Sequence, residues 1–400
     1  MRVAFIASEY PPHVYGGLGT HVEALTAALA ALGVRVDLFV PEREVYQAPP
    51  AGVTLRPVPV SRLEGSDGNA GFWISFSAEV ITHIERLDIA FDVVHCHDWL
   101  TALAGAGLTA RSGVPLLFSV HLPQTEHPHA DLEMLGLRAA TTGIVYSHAM
   151  RQELLDRDGV LPRLVVIPNG VDSTRFRPLP ARDDDAEIVL FVGRLVAQKG
   201  VDVLLRSFAA ALVRLPQARL VIAGDGDQAL YLRRLARYLG VMSRVEFTGW
   251  QTGEELVRSY GRAAVVAMPS RYEPFGLVAL EAMSCGRPVV AVRTGGLPEI
   301  IDDGRTGILV PAGDHLRFAQ ALVRLLADDR ARAKAGLAAR EEALRHQWGD
   351  VAIITAGQYQ EALARPRPVL GTDPGTADLM AALSPQSRAI AEQVLGRSRK

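Results

Sequence analysis

The chain has 400 residues, more than the ~250–300 at which a single hydrophobic core stops growing, so two domains are the expectation. Hydrophobic residues make up 48% and charged residues 22%, which excludes a disordered or fibrous chain. Lys and Arg number 42 against 44 Asp and Glu, a net charge of −2, so no bulk attraction to nucleic acid or anionic lipid follows. Two cysteines, Cys96 and Cys285, form no disulfide framework and fit a reducing compartment. The opening MRVAFIASE has too short an apolar run for a signal peptide, and no segment approaches the ~20 apolar residues of a membrane span. A cytoplasmic protein is expected.

Short β-rich runs alternate with helical patterns from the start. Strands are predicted near residues 3–7, 34–40, 92–95, 115–120, 143–146 and 164–167, then 187–192, 219–223, 245–247, 264–268, 288–292 and 307–310. Helical periodicity covers residues 21–32, 203–214, 229–239 and 316–326, among others. Such alternation implies parallel sheets with right-handed crossovers, and the continuous Val, Ile, Leu and Phe of the runs implies burial on both faces. A Pro-, Asn- and Gly-rich stretch at 168–180 (PNGVDSTRFRPLP), backed by the charged run Asp183–Asp185, marks a boundary. The expected division is 1–168, 169–350, a returning helix at 351–365 and a Pro-containing tail at 366–400 that ends in a short helix near 380–395. Ligands of doubly wound folds bind at the C-terminal strand ends, and the expected site lies in a cleft between two such units.

Several motifs fall at those strand ends. Gly16, Gly17 and Gly19 precede a helix after the first strand; there they allow close backbone approach and leave helix N–H groups for a phosphate, or simply form a tight turn. Arg194 and Lys199 lie in GRLVAQKG behind a strand, where two cations can neutralise a diphosphate. In SRYEPFGLVALEAMSCGRPVVA, Glu273 precedes Pro274, which suits a first helical turn, and Glu281 follows two turns deeper on the same side. The apolar flanks of Glu281 give its carboxylate a buried hydrogen-bonding duty, and the N–H groups of Phe275, Gly276 and Leu277 can hold a sugar or phosphate oxygen. His95 and His97 form an H-x-H pair without an evident third ligand, so no metal is assigned. Asp225 and Asp227 read as a turn, Cys285 as a small buried residue, and His127 and His129 as either loop surface or acceptor-side groups.

Taken together, GGLGTHVEAL, DVVHCHDW, FSVH, VIPNGVD, FVGRLVAQKG, VIAGDGD, PSRYEPFGLVALEAMSCGRPVVA and TGGLPEIIDDGRTGILV resemble a retaining nucleotide-sugar glycosyltransferase of family 4, the GT-B group related to glycogen synthases. The resemblance covers about residues 1–365 and implies two Rossmann-like domains facing a cleft, with a C-terminal helix returning to the first. It implies that Glu273 faces the transferred hexose and that Glu281 binds the donor ribose. Arg194 and Lys199 are implied to meet the donor diphosphate, with Gly17, Gly19 and the amides at Phe275–Leu277 near the same phosphates. His121 and, less specifically, Asp98 are implied on the acceptor side, and residues 249–251 near the nucleobase. The implied reaction is metal-independent hexosyl transfer (EC 2.4.1 type) from ADP- or UDP-glucose to an α-glucan or a sugar acceptor, with the leaving diphosphate helping to deprotonate the attacking hydroxyl. Only about twenty residues separate His121 from the strand at 143, shorter than in glycogen-synthase-like members, which argues against a polymer acceptor. The competing readings are a transferase using GDP-mannose or a UDP-sugar on a glycolipid or small acceptor, a nucleotide-sugar epimerase, and a non-catalytic sensor.

Overall fold

The computed structural model describes residues 1–60, 68–126, 128–158, 163–180, 187–365 and 385–395. The chain forms two compact units, Met1–Pro168 with Gly349–Lys400, and Asn169–Trp348. His127, the run Asp183–Asp185 and most of the tail lie outside the described residues.

The first unit holds seven parallel strands: β1 (Arg2–Ile6), β2 (Arg35–Pro41), β3 (Val53–Val58), β4 (Val93–His97), β5 (Leu116–Ser119), β6 (Thr142–Val145) and β7 (Leu164–Val166). Their order is β3-β2-β1-β4-β5-β6-β7. The crossovers are α1 (Gly17–Ala31), α2 (Gly68–Arg86), α3 (Trp99–Ser112), α4 (His129–Ala139) and α5 (His148–Asp158). Every residue of β4, β5 and β6 is buried, as a sheet covered by helices on both faces requires. The edge strand β3 was not among the expected runs, because Thr54, Arg56 and Pro57 interrupt its apolar pattern. Arg56 finds its partner across the sheet in Asp37, which also binds Arg2.

The second unit repeats the plan with β8 (Ile188–Val192), β9 (Arg219–Ala223), β10 (Val245–Gly249), β11 (Val265–Met268), β12 (Val289–Val292) and β13 (Gly307–Val310). The order is β10-β9-β8-β11-β12-β13, again parallel throughout. Its helices are α6 (Val201–Leu212), α7 (Ala229–Tyr238), α8 (Gly253–Arg262), α9 (Leu277–Ser284), α10 (Leu297–Ile300), α11 (His315–Ala327) and α12 (Asp329–Ala343). The core beneath them joins Leu204, Leu205 and Phe208 of α6 to Leu322 and Leu325 of α11. Each sheet reverses its strand order once, between β1 and β4 and between β8 and β11. Those switch points open a crevice at the strand C-termini in folds of this kind.

After α13 (Trp348–Leu363), which the sequence placed at 351–365, the described chain ends in α14 (Pro385–Val394). On α13, Tyr359 is fully buried and its Oη lies 2.7 Å from His95 Nδ1 of β4. Arg111, at the end of α3, donates to the carbonyls of Gln393 (2.8 Å) and Val394 (3.2 Å), serving the open C-terminus of α14. No helix among the described residues is long and apolar enough to cross a membrane.

Candidate functional site

In the first unit, the loop after β1 turns back through Glu9, whose Oε2 accepts from Tyr15 N (2.9 Å) and Gly19 N (3.2 Å). Gly17 opens α1 and is exposed. Gly19 is buried, and a Cβ there would lie 2.7 Å from Val14 and 2.9 Å from Glu9. The expectation of open N–H groups at both glycines therefore narrows to Gly17, since the Gly19 amide is spent on Glu9. Glu9 escaped the sequence reading because a lone acid after a strand carries no signal.

Asp98 follows β4 with φ 58° and ψ 171°, a backbone state that costs a non-glycine residue ~1–3 kcal/mol. What holds it is the loop after β5. Asp98 N donates to Ser119 O at 2.8 Å, and Asp98 Oδ1 accepts from His121 N at 2.6 Å. Burial pushes the Asp98 carboxyl up to about 8, opposed by the backbone N–H groups of His121 and Leu122. Asp98 thus braces the His121 loop, rather than turning its Oδ1 outward.

His121 stands at the centre of a buried ring cluster. Its Nε2 lies 3.0 Å from His97 Nδ1 and 2.9 Å from Tyr146 Oη, and His21 Nε2 of α1 is 3.5 Å from the same phenol. His95 and His97 sit two residues apart on β4, on one face of the sheet, with ring centres 4.3 Å apart. Phe5 of β1 stacks on His97 at 4.4 Å. His95 turns elsewhere, with Nδ1 toward Tyr359 and Nε2 2.9 Å from Ser119 Oγ. Burial drives the pKa values of His95, His97 and His121 well below the ordinary imidazole value, so all three rings stay neutral. The third histidine that the H-x-H pair lacked in the sequence comes from distant segments, which the fold alone brings together. Beyond the cluster, Trp99 stacks on His129 at 4.0 Å.

In the second unit the strand ends carry charge. Lys199 Nζ lies 2.7 Å from Glu273 Oε2, to which Ser270 Oγ also donates at 3.0 Å. Arg194, on the same loop after β8, is exposed. Arg271 ties the two loops together: its guanidinium forks onto Asp202 at 2.9 and 2.8 Å, and also reaches Ala197 O at 2.6 Å. Its own N–H donates to Gln198 O at 2.8 Å.

Glu273 is not in a helical turn. The helix starts at Leu277, capped by Gly276 at φ 114°, a conformation that spares only glycine the Cβ penalty. Pro274 and the buried Phe275 belong to the loop before it, so Glu273 and Glu281 do not lie two turns apart on one helix. The TGG motif holds the Glu273 backbone. Gly296 N donates to Glu273 O at 3.0 Å, Thr294 Oγ1 donates to Arg271 O at 3.1 Å, and a Cβ on Gly295 would fall 2.0 Å from Glu273 O. Glu281 lies in α9, where its Oε2 accepts from Tyr260 Oη at 2.6 Å. Burial pushes its carboxyl up to about 7, with that hydrogen bond opposing. Gly249 ends β10 and Trp250 is 43% exposed beside it. Asp225 closes its own turn by accepting from Gly226 N at 2.8 Å, and Cys285 is buried.

The family model described as Glycosyl transferases group 1 matches residues 172–342, and that described as Glycosyltransferase Family 4 matches residues 15–175. A D-inositol 3-phosphate glycosyltransferase of Acidothermus cellulolyticus is 35% identical over 413 residues, covering 92% of this chain and 91% of that one. The structure of a sucrose-phosphate synthase from Thermosynechococcus elongatus is similar with a TM-score of 0.80 and 26% identity, covering 91% of this chain and 99% of that one. An Anabaena protein in complex with UDP-glucose shares the fold with a TM-score of 0.73 and 21% identity, covering 90% of this chain and 100% of that one. Two Rossmann-like units built on parallel sheets define the GT-B class of sugar transferases. The chain belongs to the glycosyl transferases group 1 family, with an amino-terminal half of the glycosyltransferase family 4 type, and is a transferase enzyme.

Proposed function

We propose that the enzyme transfers a hexose, with retained anomeric configuration, from ADP- or UDP-glucose to a small phosphorylated sugar or polyol. The observation that carries the donor half is the braced pair Lys199–Glu273, with Arg194 exposed on the loop that carries Lys199. Two cations at a strand end can offset the charge that grows on a leaving diphosphate, and the N-terminus of α9 at Leu277 adds N–H groups of the same sign. On this reading Lys199 exchanges its Glu273 contact for a phosphate oxygen, and Glu273 is released toward the hexose. Glu281, steadied by Tyr260, receives the ribose hydroxyls. The leaving diphosphate takes the proton of the attacking hydroxyl on the same face, so no protein nucleophile is required. His121 orients groups on the acceptor side, with Asp98 fixing its backbone.

A small acceptor is favoured over a glucan by the segment after His121. Within it Gln124 is tied back to α4, where the buried Glu133 accepts from Gln124 N at 3.2 Å and from Arg157 Nη2 at 2.8 Å. That clamp holds Gln124 close against α4. The relatives that act on D-inositol 3-phosphate and make sucrose phosphate by name support the same class. The test is turnover with ADP-, UDP- and GDP-sugars against D-inositol 3-phosphate, glucose 1-phosphate and glycogen, with product anomers assigned by NMR. Transfer to a phosphorylated small acceptor with the donor anomer kept is expected. Turnover of glycogen alone, or donor conversion without acceptor, overturns the proposal.

A further inference from the structure

We infer that His21, His97 and His121 form a binding site for a borderline-soft divalent cation such as Zn²⁺, and that its occupancy blocks transfer. Their ligating nitrogens all lie within 4.8 Å of one another, and one pair, His97 Nδ1 and His121 Nε2, is already at 3.0 Å. Three imidazoles around a tetrahedral zinc at ~2.0–2.1 Å per bond place their ring centres roughly 5 Å apart. The observed separations are 4.7 Å for His21–His121, 5.3 Å for His97–His121 and 5.4 Å for His21–His97. The ring centres are therefore spaced as a cation needs, with His21 on α1, His97 on β4 and His121 in the loop after β5.

A further observation fits a ligand. Tyr146 Oη, 2.9 Å from His121 Nε2 and 3.5 Å from His21 Nε2, offers an oxygen beside two of the three rings. Neutral imidazole is the form that binds a metal, and burial keeps His97 and His121 neutral. His95 is excluded from the site because both its nitrogens are turned to Tyr359 and Ser119. His121 is half-buried while His21 and His97 are buried, so a cation would enter past His121. The inhibitory part rests on the proposed acceptor-side role of His121, whose lone pair the cation would take; the binding part does not.

The test titrates the full chain with Co²⁺, then with Zn²⁺. Visible ligand-field absorption saturating at one Co²⁺ per chain, and its loss on adding Zn²⁺, is expected. His97→Gln and the half-buried His121→Gln should each weaken binding by more than ~100-fold, since loss of an outer-shell partner alone costs 10–100-fold. His315→Gln, in the other unit, should leave it unchanged. Transfer should fall in step with zinc occupancy and return with a chelator. No absorption from wild type at micromolar Co²⁺, or unchanged bands in a folded His97→Gln, overturns the site. Tight binding with undiminished transfer keeps the site and overturns the blocking effect, together with the role given to His121.

Discussion

The two units share one strand order, yet the ends of their central strands carry opposite chemistry. In the first, β4, β5 and β6 end among neutral rings: His121 lies between His97 and Tyr146, while His95 turns to Ser119 and Tyr359. In the second, β8 and β11 end in an ion pair, Lys199–Glu273, held by Ser270 and framed by Arg271–Asp202. Neutral rings can orient hydroxyls without attracting a counterion, whereas paired charges can be re-partnered by a diphosphate. A shared scaffold thus leaves the division of labour to the loops.

The largest effect expected from breaking this contrast is on Glu273. Glu273→Ala should lower kcat by about 10²–10³-fold, while nucleotide binding measured by calorimetry stays within a few-fold. A variant that loses thermal stability but keeps its rate would make the ion pair a structural strut, and the second unit would resemble the first.

Asp98 gives the next test, now in the ring-lined unit. Its native pKa of about 8 lies above the ordinary carboxyl value of ~3.9, so the folded chain keeps a proton that the unfolded chain has lost. The stability this gives is full below pH ~4 and is lost as the pH rises through about 8. Asp98→Asn cannot titrate and keeps an oxygen for the His121 N–H. Relative to wild type, it should gain about 1.4 kcal/mol per pH unit between pH 6 and 8 in urea unfolding. A constant difference would mean that Asp98 is already ionised in the native state.

Tyr359→Phe removes the contact with His95 Nδ1 and strands a buried nitrogen, which costs about 1–3 kcal/mol. If the ring network steadies His121, kcat should fall a few-fold with donor KM unchanged. Stability loss with an unaltered kcat would confine Tyr359 to anchoring α13.

Much of this was legible in the sequence. Continuous apolar runs announce strands buried on both faces, and the Pro- and Gly-rich stretch at 168–180 lies where the chain passes from Pro168 to the second unit. Lys199 and Glu273 stand out because they sit at strand ends in strong motifs. What escaped is what depends on tertiary meeting. The edge strand β3 hides behind Arg56 and Pro57, whose polar or ring character a half-exposed edge tolerates. The rings of His21, His97, His121 and Tyr146 come from four separate segments, so no spacing reveals them. Pro274 misplaced the start of α9 because local preference for the first helical turn yields here to the backbone contact between Gly295 and Glu273.

The smallest effect concerns Glu281, a group of the second unit whose environment resembles the first. It is buried, takes a phenol hydrogen bond from Tyr260, and has a carboxyl pushed up to about 7. Above that pH it is a carboxylate that can accept from two ribose hydroxyls; below it, one oxygen carries a proton and becomes a donor. A hydrogen bond to a charged acceptor exceeds one to a neutral acceptor by about 1 kcal/mol, or roughly 5-fold. Donor KM of the wild type should therefore rise about 5-fold as the pH falls from 8 to 6. Glu281→Gln keeps an acceptor for Tyr260 but does not ionise, so its KM should stay flat near the acidic wild-type value. Parallel pH profiles for the two proteins would show that Glu281 serves the packing of α8 against α9 and not the donor, and the contrast between the units would then rest on the ion pair alone.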